Sequence, residues 1–136
     1  MTSIAHHQIC PLCCGFNTRL FFQNTSRIFL RCQSCLLVFV PPQQYLSAES
    51  EKAHYDHHQN SPDDPRYRQF LNRIFQPIQE RLKPASFGLD FGSGPGPTLS
   101  VMFQEGGHSM AIFDLFYANN PIVFKWKYDF ITTTET

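Results

Sequence analysis

Two cysteine pairs constrain the chain most. Cys10-Pro-Leu-Cys13 is followed, after eighteen intervening residues, by Cys32-Gln-Ser-Cys35. Two residues between cysteines let a tight turn aim both thiols at one point, and a second such pair at this distance is the spacing of a structural zinc site. Four thiolates close a tetrahedron around the ion and leave no position for water, so a Cys10, Cys13, Cys32, Cys35 centre holds structure and hydrolyses nothing. The competing reading is four ordinary thiols spaced this way by coincidence. Cys14 is the fifth cysteine. It could replace Cys13 only by widening the first pair to C-x3-C, and the odd count argues against a disulfide framework.

Between the pairs, residues 19–23 and 27–31 read as strands joined by the turn-prone Asn24-Thr25-Ser26, with 36–40 as a third strand ended by Pro41-Pro42. This arrangement resembles a zinc ribbon over residues 1–41. The metal supplies what so short a segment lacks, since structural zinc contributes roughly 10–16 kcal/mol in small peptide sites. His6 and His7 are close enough to compete as ligands but read as tail.

Residues 42–84 read as a linker and helical segment. Ser47 suits an N-cap for a helix running to His58, Asn60 to Pro65 breaks it, and Phe70, Leu71, Ile74, Phe75, Ile78 and Leu82 form a helical stripe over 66–83. Pro77 is expected to kink or split that second helix. His54, His57 and His58 suggest a metal site, but the only carboxylate at a suitable offset, Asp56, would face elsewhere on a helix, and a polar face or substrate-side wall is the preferred reading.

From Ala85 the pattern becomes strand (86–91), glycine loop (Gly92-Ser-Gly-Pro-Gly96), helix (97–105, closed by Gly106-Gly107) and strand (108–113) ending in Asp114. That is the start of an α/β doubly wound parallel sheet, whose ligands bind beyond the carboxyl ends of the strands. A dinucleotide fingerprint would want a third glycine at position 97, which is Pro. Asp90, two residues before the loop, also opposes a pyrophosphate: like charges about 4 Å apart repel by roughly 4 kcal/mol at an effective dielectric near 20. A ligand with an ammonium group gains from the same carboxylate. Asp114 suits a ribose diol, which NAD and S-adenosylmethionine both carry. A glycine-rich turn with no ligand remains the plain alternative.

Leu89-Asp-Phe-Gly-Ser-Gly-Pro-Gly96 resembles the first motif of class I S-adenosylmethionine-dependent methyltransferases, D-x-G-x-G-x-G. Asp114 matches the acidic residue closing their second strand, and Tyr128 to Glu135 resembles their fourth strand. Together with the ribbon, Tyr55 to Asn60, Asp64 to Tyr67 and Phe70-Leu71 are similar to bacterial methyltransferases with an N-terminal zinc ribbon. The resemblance implies a partial Rossmann-like, S-adenosylmethionine-binding domain over 85–136. It implies that Asp90, Gly92, Gly94 and Gly96 hold the methionine end, Asp114 the ribose, and Thr133 and Thr134 the neighbourhood of the transferable methyl. Tyr55, His57 and His58 are candidate bases, with no catalytic residue assigned, and the acceptor is a small molecule or otherwise unspecified. Only thirteen residues separate Asp114 from Tyr128, too few for a full helix and a third strand. The expectation is a shortened family member whose fourth strand has an open edge, with a partner or longer chain completing the sheet, and with cofactor binding favoured over turnover.

Eleven Lys and Arg against eleven Asp and Glu give zero net charge, which argues against a polybasic nucleic-acid binder and against a disordered, highly charged chain. Arg27, Arg31 and the cations from Arg66 to Lys83 read as scattered solvated positions. The longest apolar run, Leu36 to Val40, is far too short to span a bilayer, and the first residues lack a signal peptide's basic start and apolar stretch. The expectation is a soluble, cytoplasmic protein. The alternative function is a zinc-ribbon binding module, for nucleic acid or protein, with a vestigial glycine loop; a dehydrogenase fragment is disfavoured by Asp90 and Pro97.

Overall fold

The computed structural model describes residues 8–58 and 60–134; His6, His7 and Glu135 lie outside the described residues. The protein is mixed α/β with two small sheets, divided between two compact units, Met1–Ala48 and Glu49–Thr136. The stretch expected as linker is shared between them.

In the first unit, β1 (Thr18–Gln23), β2 (Ile28–Cys32) and β3 (Val38–Phe39) form an antiparallel sheet in that order. Asn24 makes the β1–β2 turn by accepting from the backbone N–H groups of Ser26 and Arg27. One face of the sheet is buried: Leu30, Cys32 and Phe39 pack with Cys10. The third strand is two residues long rather than five, because the backbone around Leu36 and Leu37 is used instead to turn around the second cysteine pair. Gln44, in a short 3-10 turn, accepts from Ile28 N and so belongs to this unit.

α1 (Ala48–Asp56), which buries no side chain and belongs to the second unit from Glu49 on, is followed by α2 (Pro65–Gln79). Asp64 caps α2, its carboxylate accepting from Arg66 N and Tyr67 N, with Pro65 at the first position. Pro77 does not split the helix. It sits in the last turn, where little helix remains to be kinked.

β4 (Phe87–Phe91), α3 (Thr98–Glu105), β5 (Ser109–Phe113) and β6 (Phe130–Thr132) complete the unit. The three strands are parallel, in the order β5-β4-β6. Leu71, Leu99, Met102 and Phe103 bring α2 and α3 onto one face with Met110 and Phe130. On the other face Leu89 and Ala111 pack with Val123, from a 3-10 turn at Pro121–Lys125. The thirteen residues before Tyr128 therefore make a turn and a 3-10 segment and no strand. β6 is an edge strand, and Ile131 on it is exposed.

Candidate functional site

Two sites emerge, one in each unit. In the first, the Sγ atoms of Cys10, Cys13, Cys32 and Cys35 lie within 4.8 Å of one another, with Cys10–Cys35 at 3.5 Å and Cys13–Cys32 at 3.6 Å. Four sulfurs at the usual Zn–S length of about 2.3 Å stand roughly 3.8 Å apart on a tetrahedron, so the set fits one zinc ion.

The two cysteine turns repeat each other. Cys10 O accepts from Cys14 N, and Cys32 O accepts from Leu36 N; Cys10 N donates to Gly15 O, and Cys32 N to Leu37 O. Cys14 (φ 58°) and Leu36 (φ 65°) occupy the same left-handed position in each turn. This decides the role of Cys14: it turns the chain, its side chain is exposed, and the first pair is C-x2-C. The thiols influence one another strongly. N–H groups of Cys35 and Ser34 hold Cys32 down at about 6, and the Cys13 N–H lowers Cys10. Cys13, despite a favourable N–H from Gly15, is pushed up to about 12 by the sulfurs of Cys35 and Cys32. Four thiolates this close cannot all ionise without a cation among them.

In the second unit a cavity of about 250 Å³ opens at the carboxyl ends of β4 and β5. Of the residues expected to act together, Asp90, Gly92, Gly94, Gly96, Asp114 and Thr134 line it. Thr133 is exposed and is not part of the wall. Asp90 is 3% exposed, and burial pushes its carboxyl up to about 6. Its Oδ1 accepts from Thr132 Oγ1 at 2.8 Å. Thr132 is the residue sequence reasoning missed: it faces Asp90 in the β4–β6 register, one position before the Thr133–Thr134 pair.

Asp114 also does more than its position suggests. Its Oδ2 accepts from Gly94 N at 2.9 Å, and its Oδ1 accepts from Phe116 N and Tyr117 N at 2.9 and 3.1 Å. One carboxylate thus fixes both the glycine loop and the turn after β5. Gly94 (φ 68°) has open space where a Cβ would go, so it is glycine for its backbone conformation. At Gly96 the reason is different: a Cβ there would collide with the backbone carbonyl of Asn60, which crosses the loop.

That crossing brings α1 to the cavity. Glu51, Tyr55 and His58 line it, while His54 and His57 do not. Tyr55 packs near Phe116, and Tyr117 Oη donates to Asp56 at 2.5 Å, which holds α1 against the turn that Asp114 organises. Among the described residues, the cysteine set is the one group of three or more ligand-type side chains within reach of a single ion.

Fold and sites together define a mixed α/β protein with a four-cysteine cluster suited to zinc and a separate cleft at the ends of parallel strands. Comparison with family models, curated proteins and solved structures gave no match. No described helix is long and apolar enough to cross a membrane.

Proposed function

We propose that the cleft binds S-adenosylmethionine, that the second unit is a partial Rossmann-like sheet of the class I methyltransferase kind, and that the four cysteines hold a structural zinc ion. One observation carries the cofactor reading. The cavity wall contains three carboxylates, Glu51, Asp90 and Asp114, and neither Lys nor Arg. Such a wall favours a cationic ligand and opposes a diphosphate, the charge difference between S-adenosylmethionine and NAD.

The strand order supports the same reading, because β5-β4-β6 puts the first β-α-β crossover on one side of β4 and the later strand on the other. The cleft lies at that reversal, where doubly wound sheets take their ligands. Asp90 offers a buried carboxylate, held at one oxygen by Thr132, to an ammonium group. Asp114 has an oxygen that takes a single backbone hydrogen bond, leaving a lone pair for a ribose hydroxyl. Bound there, the sulfonium would supply an electrophilic methyl group. This chain's residues bind and orient it and narrow the access of water.

Calorimetry of the zinc-loaded chain with S-adenosylhomocysteine and, separately, with NADH tests the proposal. The expected result is micromolar binding of the first and none of the second. Tighter binding of NADH, or no heat with either in a folded sample, overturns it.

A further inference from the structure

The zero net charge of the whole chain conceals an uneven distribution. The first 48 residues contain Arg19, Arg27 and Arg31 and no Asp or Glu, so every acidic residue lies in the second unit's sequence. A zinc ion with four thiolates carries a formal charge of about −2, so the first unit is only slightly cationic overall. What matters is where its arginines stand.

The β1–β2 register pairs Arg19 directly with Arg31 and Phe22 with Phe29, and β2–β3 pairs Arg31 with Val38. Residues opposite one another share a face, so these five lie together on the side of the sheet away from Leu30, Cys32 and Phe39. Phe21 sits at the irregularity in β1 and stacks under Arg31, whose guanidinium carbon is 5.4 Å from the ring centroid. Phe21 and Phe22 are each 55% exposed. Like charges placed directly opposite across two strands cost stability. Arg31 Nε is also buried without a hydrogen-bond partner. An anion over the exposed ends of the pair would offset the repulsion between the two guanidinium groups.

Phosphates beside exposed aromatic rings and an arginine plane are the chemistry of single-stranded nucleic acid, whose bases stack while its backbone meets the cations. We propose that this outer face of the β1–β2–β3 sheet, built from Arg19, Arg31, Phe21, Phe22 and Phe29, binds single-stranded nucleic acid without sequence preference. The proposal rests on the first unit alone and is independent of what occupies the cleft. An acidic peptide could meet the arginines but would gain nothing from the rings.

The test is fluorescence anisotropy of the full zinc-loaded chain with a labelled oligothymidylate of about twelve nucleotides, with an oligoglutamate of similar length as competitor. Binding is expected to weaken with salt at a log–log slope of about −1.4, two phosphate contacts at roughly −0.7 each. Phe21→Ala and Arg31→Gln are each expected to weaken it about tenfold, with zinc stoichiometry unchanged as proof of folding. The proposal is overturned if the strand fails to bind, if zinc-replete variants keep the parental affinity, or if oligoglutamate displaces the strand at equal concentration.

Discussion

Asp90 shows how one buried residue ties stability to the proposed binding. Its carboxyl, at an ordinary value of 3.8 when exposed, is raised to about 6 by burial in the folded chain. The folded state therefore holds more protons than the unfolded state between these values, and stability falls as pH rises through that window. A rise of this size corresponds to roughly 3 kcal/mol, present below about pH 4 and lost above about pH 6. Asp90→Asn keeps an acceptor for Thr132 and removes the buried charge. Thermal melts from pH 4 to 7 should show the Asn variant gaining stability over the parent as pH rises, and the two converging at pH 4. A proposed ammonium ligand has the opposite preference, since it needs the carboxylate charged. Affinity for S-adenosylhomocysteine should fall about tenfold from pH 7 to pH 5 in the parent and stay flat in the variant. Under the proposed function, an ammonium ligand offsets the cost of keeping this carboxylate charged at neutral pH.

At the scale of elements, the glycine loop and α1 act as one structure. The first two glycines serve the loop's own geometry, with φ of 74° at Gly92 and 68° at Gly94. Gly96 instead makes room for the chain at Asn60. The variants Gly94→Ala and Gly96→Ala separate these reasons. The first should cost about 1 kcal/mol through an unfavourable backbone conformation. The second should cost about 1–3 kcal/mol through overpacking against a backbone atom that cannot swing aside. It should also speed hydrogen exchange in α1, measured by mass spectrometry, whereas Gly94→Ala should leave α1 unchanged. Equal behaviour of the two variants would show that the Asn60 contact does not hold α1. Because α1 buries no side chain, its position depends on Asn60, Tyr55 and the Tyr117–Asp56 hydrogen bond.

On the scale of the whole molecule, the two units have different sources of stability. The first has one hydrophobic cluster of four buried residues, Cys10, Leu30, Cys32 and Phe39, a core too small to fold a segment of this length alone. The second has two clusters, one on each face of its sheet. Chelating the metal should therefore unfold the first unit selectively. Two-dimensional NMR after chelation should lose dispersed signals from residues 8–48 and keep those of the β4–β5–β6 sheet, and zinc should return at one ion per chain. Cys32→Ser should mimic the chelated state. Simultaneous loss of both sets of signals would make the metal a requirement for the entire fold.

How much of this could be read from the sequence follows from the range of each interaction. The cysteine pairs, the glycine loop and the strand–helix–strand run around it are encoded by neighbours a few residues apart, so spacing and periodicity reveal them. Cys14 shows the limit: sequence leaves two pairings open, and the left-handed turn shared with Leu36 chooses between them. Thr132 on Asp90, Asn60 on Gly96 and Gly94 on Asp114 are invisible at that level, because each joins positions at least twenty residues apart through a register or a crossing. The same holds for Arg19 beside Arg31, which composition renders as scattered charge and strand pairing turns into an opposed pair. The sequence by itself determined which four cysteines could share a metal ion, the two kinds of sheet, and Asp90 and Asp114 as acidic neighbours of the glycine loop, since these depend on residue type and local spacing. Only the tertiary structure decided which side chains hold those groups in place, that Glu51 joins the cleft, and which face of the four-cysteine unit carries its charge, because all are set by contacts that exist only after distant segments have met.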